Sequence, residues 1–122
     1  MEKSMALFLA TMLHSGTNTH FFHWATKSYA KHKALGKFYD NIIDLADTFT
    51  EMYQGRHGLV GPITLQSAKK TTNIIEFLED SLKDVEDNRY EVCDEKDTAI
   101  QNIIDEIVGV YLSTLYKLKF LA

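Results

Sequence analysis

Residues 97–120 read DTAIQNIIDEIVGVYLSTLYKLKF, and this stretch sets the architecture of the chain. Ile100, Ile103/Ile104, Ile107, Tyr111, Leu115 and Leu118 recur at intervals of three and four, which draws one apolar stripe along a helix. Asp97 or Asp94 supplies the side-chain oxygen that caps its first turn. Working back, residues 64–87 repeat the pattern with Leu65, Ala68, Thr72, Ile75, Leu78, Leu82 and Val85, behind a capping Thr64. Two further helical segments, 4–29 and 34–53, precede a glycine-rich break at 55–62. With 6 Gly and 1 Pro in 122 residues, the chain lacks the turn signals of a strand-rich fold. The expectation is an all-α protein, a four-helix bundle forming a single domain over residues 1–122. Residues 55–66 reach at most ~40 Å, against ~30 Å for a 20-residue helix. The connection between the second and third helices is therefore either a taut crossover or the short link of a simple up-down-up-down bundle.

Charge and cysteine content narrow the function. The 13 basic and 17 acidic residues leave a net charge of −4, which argues against nucleic acid as a partner. Lys27, Lys31, Lys33 and Lys37 cluster with His32, but four lysines on an acidic chain make only a weak, salt-sensitive phosphate contact. Ten acids against three bases lie between Glu76 and Asp97. Cys93 is the single cysteine, which points to a reducing compartment. The apolar run 5–13 follows Glu2 and Lys3, whose charges cancel, and continues as one helical pattern, so it reads as helix rather than as a secretory signal. No run approaches the ~20 apolar residues of a membrane span. A cytoplasmic protein with no membrane partner is expected.

The first two helices carry the candidate chemistry. Asp40, Asp44, Asp47 and Glu51 are spaced four, three and four, within roughly 60° of one another on one helical face. Leu35, Phe38, Ile42, Leu45, Phe49 and Met52 fill the other side, so the acids point away from their own core. His20, Phe21, Phe22, His23 and Trp24 are consecutive, and apolar groups on so many sides of a helix call for a partner beyond the core: a homo-oligomer, dimer or larger shell. His23 shares a face with Met5, Leu9, Met12 and Gly16, where a histidine is more often a satisfied core residue than a ligand. Carboxylates at i, i+4 with imidazoles on a neighbouring helix are nonetheless ligands for iron or another divalent transition metal in bundles.

His23-Trp24 near the end of a first helix, His32 nine residues on, and DTFTEMYQGRHG (47–58) together resemble the Dps family, the DNA-protecting miniferritins. DEKDTAIQNIIDEI (94–107) is similar to the run that opens that family's last helix. The resemblance implies a ferritin-like bundle whose ferroxidase site lies between subunits. It would hold iron with His23 and His32 from one chain and Asp47 and Glu51 from its mate, with His20, Asp40 and Asp44 as secondary candidates. Three departures qualify it. Gly36 stands where the family has a carboxylate ligand, no basic N-terminal tail for holding DNA precedes the helix, and no extra short helix interrupts the second connection. Two functions follow as expectations: iron binding, oxidation and storage in a homo-oligomer, or a metal-free helical interaction protein that keeps the fold without ferroxidase activity.

Overall fold

The structure is a computed structural model that describes residues 2–63 and 71–122. Among the described residues there are four helices: α1 (Glu2–Ala25), α2 (Tyr29–His57), α3 (Ile74–Val92) and α4 (Thr98–Phe120). The expected Thr64 cap and the stripe positions Leu65 and Ala68 lie outside the described residues. α3 instead begins behind Asn73, whose side chain accepts the amide of Glu76 at 3.1 Å. α1 ends at Ala25, four residues short of the expected boundary, because Ser28 caps a new helix by accepting the amide of Lys31. His32 therefore sits in the first turn of α2. At the far end α2 runs on to His57 and stops at Gly58, whose φ of 87° is costly for any residue with a Cβ.

Helix directions follow from contacts between their ends. Phe8 meets Phe49 at 5.2 Å between ring centroids while His23 meets His32, so α1 and α2 are antiparallel. Arg56 pairs with Asp97 and Phe38 packs edge-on to Tyr111, so α2 and α4 are antiparallel. Lys119 pairs with Glu79 and Arg89 bonds Gln101, so α3 and α4 are antiparallel too. α2 and α3 must then run in the same direction, and residues 58–73 carry the chain from one end of the bundle to the other. Sixteen residues can reach up to ~53 Å, more than the ~28 Å length of the 19-residue α3, so the chain length suffices for a crossover. The simple up-down-up-down alternative is thereby corrected. It presumed a shorter connection, whereas α3 starts ten residues later than the apolar pattern implied. A single long crossover is a connectivity shared with ferritin-like bundles.

α1 and α4 each pack against α2 and α3, which leaves α1 diagonal to α4. The stripe read from the sequence of α4 is the buried one: Ile100, Ile104, Ile107, Tyr111, Leu115 and Leu118 are all in the core. From α2 come Leu35, Phe38, Ile42 and Phe49, and from α1 come Met5, Phe8, Leu9 and Met12. Burying one such side chain contributes about 1.5–3 kcal/mol. Tyr111 bridges the diagonal, its hydroxyl 2.6 Å from Ser15 Oγ. Ser15 spends its own proton on the carbonyl of Thr11, so Tyr111 is the donor.

The α3–α4 turn is held by one amide. Gln101 Nε2 donates to the carbonyl of Cys93, which no backbone amide reaches at the end of α3, and to that of Arg89, which also accepts the Cys93 amide, while its Oε1 accepts from Arg89 Nε. Arg89 also reaches Asp105. Asp97 is the N-cap of α4, as expected, and Asp94 shapes the turn by accepting the amide of Lys96.

Candidate functional site

The α1–α2 junction gathers the histidines that the sequence singled out. The rings of His23 and His32 stack 3.7 Å apart at 18°. His23 Nδ1 lies 2.6 Å from the carbonyl of His32, and His32 Nδ1 lies 2.8 Å from the carbonyl of His23. A carbonyl only accepts, so each Nδ1 carries its proton and each Nε2 is left as the free nitrogen. The His32 ring thereby satisfies a carbonyl at the end of α1 that no helical amide reaches. One turn earlier, His20 stacks on Tyr39 at 4.1 Å and meets Trp24 at 4.3 Å. His23 is half-buried, with its ring bonded to the backbone, which agrees with a satisfied packing residue.

Gly36 is explained by the same packing. A Cβ at this position would lie 2.9 Å from His23 Cε1 and 3.1 Å from His23 Nδ1. The carboxylate expected there by resemblance has no room. Lys33 and Lys37 line a groove beside the histidine pair and are joined by Lys117 from α4, with Asp40 at the edge. The lysine cluster is thus solvated, and Lys33 Nζ lies 5.8 Å above the Tyr29 ring.

The acid stripe is where the helical arithmetic put it. Asp40, Asp44, Asp47 and Glu51 are all exposed on the face of α2 turned away from its buried residues. Asp47 lies fifteen residues along α2 from His32, about 22 Å at 1.5 Å per residue. One chain brings His23 to His32 and leaves Asp47 and Glu51 at a distance, so an ion bound by all four would require a second copy.

Two further features bear on function; sequence reasoning reached the first in part, from the run His20–Trp24, and missed the second. The first is the outer face of α1. Residues 4–26 contain no Asp, Glu, Lys or Arg. Met5, Phe8, Leu9 and Met12 occupy the core side, and about 110° round the helix from them Ala6, Ala10, Leu13, Thr17, His20 and Trp24 succeed one another at spacings of four and three, with Ala6, Ala10 and His20 half-buried and His20 packed on Tyr39 of α2. Leu13 is 45%, Phe21 56% and Trp24 65% exposed. A shorter apolar stripe, Leu112, Tyr116 and Phe120, is exposed on α4. The pattern was present in the sequence, but two interleaved apolar faces blur into one hydrophobic helix. The second feature is a meeting of His57, Cys93 and Asp97 at the opposite end of the bundle, from three separate stretches of chain. Burial, then the neighbouring Asp97 carboxylate, pushes the Cys93 thiol up from its ordinary value. Asp94, its neighbour in sequence, has the lesser effect.

With this geometry in place, comparison with known proteins gives a definite affiliation. The profile of DUF5856, a family of unknown function, matches residues 23–118. The chain belongs to that family. It is similar to an uncharacterized 14.6 kDa protein in the mobD-ri intergenic region of Enterobacteria phage T4. The two are 32% identical over 113 residues, which cover 92% of this chain and 85% of that protein. No solved structure matches.

The resemblance to Dps miniferritins is therefore corrected. The match runs through His23, His32, Asp47, Glu51 and most of α4, the very positions that carried the resemblance, and it assigns them to DUF5856. The physical source of the likeness is local. Two histidines that bond each other's backbone across a tight helix–helix break, and acids on a solvated helix face, need no bound metal to account for them. The affiliation brings no evidence of ferritin-like, iron-storing or ferroxidase character. Among the described residues no helix is long and apolar enough to cross a membrane.

Proposed function

We propose that this DUF5856 member is a non-enzymatic helical-bundle interaction protein that pairs with a second copy of itself through the outer face of α1. One observation carries the reading: a surface helix with no charged residue over 4–26 and with Leu13, Phe21 and Trp24 exposed on its outer side. Monomeric proteins rarely leave a contiguous apolar patch of this length in water. The four-three spacing from Ala6 to Trp24 is that of a helix–helix seam, in which Ala6 and Ala10 allow close approach and Leu13 and Trp24 serve as knobs. A face with no charge of either sign offers nothing to a charged ligand and is complementary to itself across a two-fold axis. The free, buried Cys93 supports a reducing compartment for the assembly.

Sedimentation equilibrium tests the reading. The native protein is expected at twice the 14.0 kDa chain mass. Leu13→Lys with Trp24→Lys should yield a monomer with unchanged helical circular dichroism. Tyr116→Lys, on the α4 stripe, should leave the dimer intact. A native protein that sediments as one chain throughout the concentration range would overturn the proposal.

A further inference from the structure

The end of the bundle remote from the histidine pair brings together an imidazole, a thiol and a carboxylate. His57 is the last residue of α2, Cys93 the C-cap of α3 and Asp97 the N-cap of α4. One ligand atom from each lies within 4.8 Å of the other two. Three corners of a tetrahedral zinc site, with bonds of ~2.0–2.3 Å, are ~3.3–3.8 Å apart, so a closure of about 1 Å would complete the arrangement.

We propose that His57, Cys93 and Asp97 form a binding site for a borderline divalent cation, Zn²⁺ by ligand chemistry, with water in the fourth position. The donor set is mixed nitrogen, sulfur and oxygen, which suits zinc and disfavours the hard cations that require all-oxygen ligands. Each donor is available. The His57 ring packs on Tyr53, at 4.6 Å between centroids, and among the described residues its nitrogens make no hydrogen bond. Cys93 is unpaired. Asp97 Oδ2 is buried with no aligned hydrogen-bond donor, although Arg56 Nε stands 2.7 Å away as an ion-pair partner. Arg56 occupies the position of the cation and is itself half-exposed, so it can swing into solvent when an ion enters. Binding would tie the end of α2 to the α3–α4 turn, independently of the α1 face.

Co²⁺ serves as a spectroscopic stand-in for Zn²⁺. The reduced full chain should bind one Co²⁺ with a thiolate-to-metal charge-transfer band and tetrahedral visible absorption, be displaced by Zn²⁺, and melt at a higher temperature with Zn²⁺ present. Cys93→Ser should lose the charge-transfer band. His57→Ala, at an exposed position that does not threaten folding, should weaken Zn²⁺ binding at least about tenfold, as loss of a direct ligand requires. Arg56→Gln should tighten it. His23→Ala should leave binding unchanged. Absence of a charge-transfer band in the native chain, unchanged affinity in His57→Ala, or loss of binding in His23→Ala would each overturn the proposal.

Discussion

Replacing Gly36 by alanine inverts the usual rule for a glycine inside a helix. Such a change ordinarily stabilises by about 1 kcal/mol, because glycine surrenders more backbone freedom on folding. Here the new methyl would fall 2.9 Å from His23 Cε1, and that ring cannot simply rotate away. It is stacked on His32, and the two rings exchange hydrogen bonds with each other's backbone carbonyls. Displacing it surrenders the hydrogen bond from its Nδ1 to the His32 carbonyl at about 0.5–1.5 kcal/mol and a ring stack at about 0.5–1.5 kcal/mol. Set against the helix-propensity gain, the net loss is about 1 kcal/mol, a fall in Tm of about 4 °C for a chain of this length. The decisive measurement is the double-mutant cycle. In a His23→Ala background the obstruction is gone, so Gly36→Ala should raise Tm by about 4 °C, for a coupling of about 2 kcal/mol. Melts must be run at one protein concentration, since self-association shifts Tm. If Gly36→Ala stabilises both backgrounds alike, the histidine clamp does not constrain position 36 and the reasoning fails.

Tyr111 is fully buried, and burial holds its phenol well above the ordinary value of 10.0. Its proton is retained in the folded state, while the unfolded chain releases it above pH 10. The native protein should therefore lose about 1.4 kcal/mol per pH unit from this group above that point. Tyr111→Phe should be less stable by about 1–2 kcal/mol at neutral pH, and that deficit should shrink in urea titrations above pH 10. Gln101→Leu leaves the Cys93 carbonyl and the Arg89 Nε without the partner they share and should cost about 2–3 kcal/mol in chemical denaturation. Asp47→Asn relieves an i, i+4 repulsion with Glu51 on an exposed face and should raise stability by about 0.2–0.5 kcal/mol at low salt; a large loss would show that the carboxylate has a partner.

What could be read in advance was whatever a single helix expresses by itself. The periodicity of α4 names its core residues and Asp97 its cap, because burial and capping repeat at fixed intervals along one element. The acid stripe of α2 is likewise a property of one helix. The α1–α2 break was placed late because Thr26, Lys27 and Ser28 include neither glycine nor proline, and only the Ser28 cap marks the boundary. The single crossover was left open because its length depends on where α3 begins, and Asn73 is a weaker signal than the apolar run that precedes it. The gathering of His57, Cys93 and Asp97 is a product of tertiary structure alone. No spacing in the chain encodes it.

The histidine pair shows why a motif spanning a helix break reports on the break before it reports on a ligand. Two antiparallel helices joined through residues 26–28 place position 23 against position 32 whatever occupies them. Histidine suits both positions because its ring stacks flat and its Nδ1 proton reaches a carbonyl across the break, which for His32 is a carbonyl at the end of α1, where backbone acceptors go unsatisfied. That use turns one nitrogen of each ring inward, and Gly36 completes it by making way. A ligand pair must instead present nitrogens to a common point together with its carboxylates, and the acids of α2 stand too far along the same helix for one chain to do so. The more discriminating clue is the outer side of α1. A helix side that remains in water ordinarily carries charge, because solvation there costs nothing and apolar exposure does. An outer stripe with none, continued from Ala6 to Trp24, is therefore better explained by contact than by solvent. That asymmetry, rather than the histidines, directs the functional reading of this chain toward association.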